Sequence, residues 1–327
     1  MSGFEIAGWG MSVPEQVLTS VELAGRFGVD EEWIVSRCGI RERRIVGEGQ
    51  TTASLAVEAG RRALEQAGLT GADIAHLVVA TATPEQPSPA TSAFVHHDLG
   101  IAGSAHDVNA ECSGFVYAFV HAVALMAMDP RPILIVGSDT HSLTVRPDDR
   151  DLGILVGDGA GAIVLVPGPD NPLLSWNLGA DGSRASSLKV LAGGSRMPTT
   201  METVQKGLHY AEINGNEIYL NAVRFSVRTV RATLESAKVT AEELDAFVPH
   251  QANIRIINSI MSHSGIDPRS LVTNLDRYGN TASASIPIAL TEALDAGRVR
   301  RGDLVLLAGF GAGMTWGSAL LRWGGAA

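Results

Sequence analysis

Cysteine is scarce: the 327 residues contain two, Cys38 and Cys112. That is too few for a disulfide framework, and two free thiols in a reducing cytoplasm are the expectation. A basic surplus is missing as well. The formal net charge of -10 argues against general nucleic-acid affinity, because phosphate binding needs clustered Lys and Arg. Any basic docking patch must be local. The opening MSGFEIAGWGMSVPEQVLTS has neither a basic stretch nor a continuous apolar one, so no secretory signal is expected. No apolar run of about 18 residues marks a membrane span. Nucleotide fingerprints fail too. GDGAGA at residues 157–162 has no Lys-Ser/Thr ending, and GFGAGMTWGS at 309–318 lacks the GxGxxG spacing and its later acidic residue. Adjacent His96 and His97, beside Asp98, would point apart on a helix, so no metal site is expected.

What is present is apolar and ordered in alternation. Hydrophobic residues make up 45% of the chain, enough for one large or two ordinary domains. Strand-like runs such as AHLVVATAT and PILIVGSDT alternate with helical periods, one of them from about Pro89 to Leu99, which is an α/β pattern. The plan repeats. DIAHLV at 73 aligns with ELDAFV at 243, DVNAECSGF at 107 with DRYGNTASA at 276, and ILIVGS at 133 with VLLAGF at 305, all at offsets of roughly 170 residues. Duplication of a sheet-and-helix unit follows, with halves at 1–170 and 171–327. The site should lie between them, where strands end and helices begin.

Several helices can be placed. Thr52 is set to cap a helix through ASLAVEAGRRALEQA that stops at Gly68. From Asn221, Val223, Val227, Val230 and Leu234 share one face, with Arg224, Arg228 and Arg231 on another that reads as solvated. FVYAFVHAVALMAM, residues 115–128, is apolar on every side and should lie at the centre of the molecule. The stretch from Ser183 to Asn216 reads as a long irregular loop able to cover a pocket.

Cys112 opens that central helix. A thiol there feels unpaired backbone N–H groups, which favours thiolate and lowers its pKa below the free value of about 8.5. His250 in VPHQANIR and Asn280 in YGNTASAS follow in order, each among small residues that leave room for a substrate. Nucleophile, imidazole and carboxamide together point to acyl transfer on sulfur. The backbone N–H groups of the glycine loop at Gly311 are placed to polarise a thioester carbonyl.

These residues, with EEWIVSRCGIRERR, DDRDLGILVGDGAGA, LDRYGNTASASIPIAL and GFGAGMTWGSALLRW, resemble the β-ketoacyl-acyl-carrier-protein synthase III family from end to end. The resemblance implies a five-layered αβαβα thiolase fold, a homodimer, and a catalytic set of Cys112, His250 and Asn280. It implies a coenzyme A site at Trp33, Arg37, Arg150, Asn253, Gly311 and Gly313, and a surface at Arg255 for acyl carrier protein. No cofactor is implied beyond the acyl-CoA substrate itself. The reaction implied is decarboxylative condensation of an acyl-CoA with malonyl-acyl carrier protein, starting fatty-acid or polyketide chains. Transfer of the acyl group to an oxygen or nitrogen nucleophile, and a non-catalytic partner subunit, are the alternatives.

The chain departs from the family pattern at several places. Glu111 precedes the nucleophile where a small residue is common, and strand spacing would turn it away from Cys112. Cys38, Val156, Ala312 and Ser88 also differ. Ser88 stands where a bulky residue often limits the acyl pocket, so a roomier site is expected.

Overall fold

The computed structural model describes residues 3–324 apart from Asn171 and the side chain of Asn216. Its first half runs β1 (Gly3–Ser12), α1 (Glu31–Cys38), α2 (Thr52–Ala67), β2 (His76–Ala80), α3 (Thr91–Leu99), β3 (Ser104–Val108), α4 (Gly114–Met128), β4 (Ile133–Thr140) and β5 (Asp158–Gly168). The second runs β6 (Leu173–Ala180), β7 (Leu188–Val190), β8 (Ala211–Ile213), α5 (Gly215–Ala237), β9 (Ala246–Pro249), α6 (Ile254–Ser264), α7 (Ser285–Asp295), β10 (Leu304–Gly311) and β11 (Thr315–Arg322). The boundary expected after residue 170 falls at Asn171, outside the described residues.

The two large sheets have matching orders. One is β1-β5-β4-β2-β3 and the other β6-β11-β10-β9. In each, two neighbouring strands are parallel, β2 with β4 and β9 with β10, and the remaining pairs toward β1 or β6 are antiparallel. The counterpart of β3 is reduced to a parallel bridge between Phe247 and Leu271.

Burial explains why the strands read as unbroken apolar runs. Along β4, Ile133 and Ile135 enter the central core while Leu134 and Val136 enter the outer one beneath α2 and α3. Along β10, Val305 and Leu307 face the centre and Leu304 and Leu306 face α5 and α6. A strand covered on both faces has no polar side to alternate with. Between the sheets lie α4 and α7, giving five layers. Phe115 and Phe119 of α4 are fully buried, each contributing roughly 1.5–3 kcal/mol.

Local expectations met the structure with some shifts. Thr51, not Thr52, caps α2, accepting from Ser54 N at 3.2 Å, while Thr52 is buried and donates to Thr83 O at 2.7 Å. Gly68 ends that helix with φ 67 as expected. Helix α3 begins at Thr91 rather than Pro89. Helix α4 is less enclosed than its composition implied, with His121 and Met128 exposed. The segment Glu111–Met128 is long and apolar enough to cross a membrane by length and composition alone, which the sequence reading passed over, but it is the core helix of this fold. Helix α5 starts at Gly215, earlier than expected, and the exposed Arg228 lies over the Trp316 ring at 4.6 Å. The supposed loop from Ser183 onward pairs β7 with β8 and includes a short helix, Met201–Gln205.

The duplication is real in register as well as order. Asn109 Oδ1 accepts from Glu111 N at 3.2 Å, and Asn280 Oδ1 accepts from Ala282 N at 2.9 Å. Glu111 and Ala282 share a left-handed backbone, with φ 51 and 47. Cys112 therefore corresponds to Ser283, two positions away from the sequence alignment, and Asn280 to Asn109.

Candidate active site

One cavity of about 490 Å³ is lined from both halves, and Cys112, His250 and Asn280 all face it. Cys112 sits in the single turn Glu111–Ser113 that leads into α4. Behind it runs β10. A side chain at Gly311 would come within 2.7 Å of Cys112 N and 2.8 Å of Glu111 Cβ, so only glycine lets the strand press this close.

Glu111 does not turn away from the nucleophile. It lines the cavity, because residue 111 belongs to a turn with a left-handed backbone and strand alternation does not apply there. Burial raises its carboxyl above the usual range, opposed by nearby His141. Burial, followed by the carboxylates of Glu111 and Asp139, pushes the Cys112 thiol well above its ordinary value. The expected resting thiolate is thus overturned: desolvation and two like charges outweigh the helix-start N–H groups.

His250 directly follows β9, its N–H bonded to Ala308 O at 2.7 Å and its Nδ1 3.1 Å from Ser285 Oγ. Burial, reinforced by His141, holds the imidazole down to about 3, so it is neutral at ordinary pH. Asn280 is fixed by its backbone, donating N–H to Leu155 O at 2.8 Å and accepting from Gly157 N at 2.9 Å. With Oδ1 engaged by Ala282, its Nδ2 is left without a partner among the described residues.

Trp33 stands in the cavity wall farther toward the surface, with the Arg37 guanidinium 3.8 Å and the Arg150 guanidinium 4.9 Å from its ring centroid. Asn253 caps α6 through Arg255 N at 2.8 Å, and the exposed Arg255 lies 5.8 Å from the Tyr219 ring. All of these line the cavity, as does Gly311. Gly313 is not among the lining residues; with φ 67 it turns the chain between β10 and β11. Ser88 is exposed and also outside the lining. The sequence reading missed His141, just past the end of β4, and Ser285 behind His250. His141 at a strand end on the site side was a usable signal; Ser285 was not, since nothing local marks its neighbour. Among the described residues no group of three potential ligands is placed to hold a metal ion.

Two models of 3-oxoacyl-[acyl-carrier-protein] synthase III match the chain, one over residues 106–182 and its C-terminal counterpart over 234–323. A β-ketoacyl-[acyl-carrier-protein] synthase III of Symbiobacterium thermophilum is 46% identical over 322 residues, 98% of each chain. The chain belongs to the β-ketoacyl-acyl-carrier-protein synthase III family. Its five layers are the thiolase fold of solved synthase III structures. The 3-oxoacyl-[acyl-carrier-protein] synthase III of Aquifex aeolicus VF5 superposes with a TM-score of 0.90 at 36% identity, over 98% of this chain and 100% of that one. The priming β-ketosynthase of the R1128 polyketide pathway gives 0.89 at 32% identity, over 99% and 97%.

Proposed function

We propose that this synthase III condenses an acyl-CoA starter with malonyl-acyl carrier protein through an acyl-Cys112 intermediate, opening a fatty-acid or polyketide chain. The observation that carries this reading is the convergence of Cys112, His250 and Asn280 on one cavity whose wall also holds Trp33 with two guanidiniums close to its ring. Trp33, Arg37 and Arg150 suit an adenine ring and its phosphates, by stacking and by charge. Asn253 and Gly311 line the same cavity, and Gly313 turns the chain just after Gly311.

In the first half-reaction Cys112 Sγ bonds to the thioester carbon while the bond to coenzyme A sulfur breaks, and the thiol proton ends on the departing sulfur. N–H groups beside Gly311 hold the oxyanion. In the second, malonyl loses its carboxylate as carbon dioxide and the electron pair passes to its thioester as an enolate. His250 Nε2–H and Asn280 Nδ2 donate to that oxygen. The enolate carbon attacks the acyl group, and sulfur leaves and regains a proton, which its raised pKa favours.

Arg255, with Arg224 and Arg228 on α5, offers local positive charge to an acidic carrier protein on an otherwise negative enzyme. The reaction needs no resident cofactor. Residues 1–170 and 171–327 act as two halves of one fold, and the free edge of β3 suits pairing in a homodimer. Free Cys38 and Cys112 fit a cytoplasmic setting. Intact-protein mass after acyl-CoA should show one adduct, absent in Cys112→Ala, and the acylated enzyme should release labelled carbon dioxide from malonyl-carrier protein. An adduct without carbon dioxide release would sink condensation and leave simple acyl transfer.

A further inference from the structure

Two polar groups at the Cys112 end of the cavity are not used by the chemistry above. The Glu111 carboxylate has no hydrogen-bond partner among the described residues, and His141 Nε2 is buried without one. Their neighbours differ sharply. Asp139 is saturated by Thr81, Ala82, Thr83 and Ser283, and Asp158 is held by Val46 and Ser142. The fold thus satisfies its structural carboxylates and leaves these two groups open, although a buried polar atom such as His141 Nε2 is nearly always bonded.

Glu111 does not help sulfur ionise, since it opposes the thiolate. Beside the catalytic His250 and Asn280, the same cavity is lined by small or apolar residues such as Ala82, Val156 and Ala312. Glu111 is the residue next to the nucleophile, so what it meets is the first few carbons of whatever group sulfur carries.

We propose that Glu111 and His141 form a subsite for the hydroxyl of a short 3-hydroxyacyl starter, which donates to the Glu111 carboxylate and accepts from His141 Nε2–H. The subsite rests on the acyl-Cys112 reading given above. An alkyl starter buries both groups unpaired, and a starter ending in carboxylate meets the charge of Glu111. A hydroxyl satisfies both at once.

Wild-type enzyme is mixed with equal concentrations of 3-hydroxybutyryl-CoA and butyryl-CoA, and the two Cys112 adducts are counted by intact mass at early times. The hydroxy adduct should lead by about tenfold or more, as one charge-assisted hydrogen bond allows. In Glu111→Ala/His141→Leu the ratio should fall below one, and Glu111→Gln alone should give an intermediate ratio. A wild-type ratio at or below one, or a ratio unmoved in the double variant, overturns the subsite. A 3-aminobutyryl adduct exceeding the hydroxy adduct also overturns it, in favour of a cation site. Absence of any adduct from any of these thioesters overturns the acyl-enzyme reading itself, which separates the two failures.

Discussion

Nδ1 of His250 lies 3.1 Å from Oγ of Ser285, and Thr281 Oγ1 donates to that same hydroxyl at 3.3 Å. With Thr281 as donor, the Ser285 hydroxyl is free to donate to Nδ1, which puts the single imidazole proton on Nε2, facing the cavity. Ser285→Ala removes that control. The condensation rate should drop about tenfold, the worth of one oriented hydrogen bond, and rate measurements on pre-acylated enzyme would check it. An unchanged rate would show that the tautomer is set elsewhere.

The same imidazole makes stability depend on pH. Its folded value of about 3 lies below the ordinary 6.5, so the folded state binds fewer protons than the unfolded chain. The contribution is complete above 6.5 and is lost as pH falls toward 3, with a slope of about 1.4 kcal/mol per pH unit. Denaturant titrations at several pH values should show a shallower acid slope in His250→Asn.

Cys112 should be a sluggish nucleophile toward iodoacetamide at neutral pH, because burial and two carboxylates disfavour its thiolate. Alkylation should accelerate as pH rises beyond 9. Glu111→Gln removes the nearer like charge, so its rate at any fixed pH above neutrality should exceed that of the wild type, as a stopped-time mass assay would record.

Gly311→Ala would drive a methyl group to within 2.7 Å of Cys112 N. The turn must then shift and carry the nucleophile away from its oxyanion donors. Acylation by acyl-CoA should slow by about a hundredfold or more, while the far-ultraviolet circular dichroism stays that of a folded protein.

Asp139 accepts six hydrogen bonds, two of them from Ser283 across the joint between the halves. Asp139→Ala leaves these donors buried and unpaired, and should destabilise the fold by about 3 kcal/mol or more. Equilibrium unfolding in urea measures it.

Much of the architecture was legible because hydrophobic runs and repeated spacing survive in one dimension. The buried strands at 76–80, 133–140 and 304–311 and the helix after Cys112 read directly as continuous apolar segments. The register of the repeat did not, since it depends on two Asx turns, at Asn109 and Asn280, that no periodicity reveals. At the site, Cys112, His250 and Asn280 stood out by residue type and position at strand ends. His141 went unread although its place just past β4 marked it, Ser285 was silent, and Glu111 was turned the wrong way, because a single residue with φ 51 breaks the alternation rule that placed it.

Sequence alone determined the α/β layering, the duplicated plan and the three groups that meet at the cavity, because each follows from local pattern and chemistry. Tertiary structure alone decided the state of those groups. How deeply the thiol is desolvated, which hydroxyl backs the imidazole, and that a carboxylate and a histidine share the cavity with them depend on distances between residues far apart in the chain, and such distances exist only once the sheets have packed.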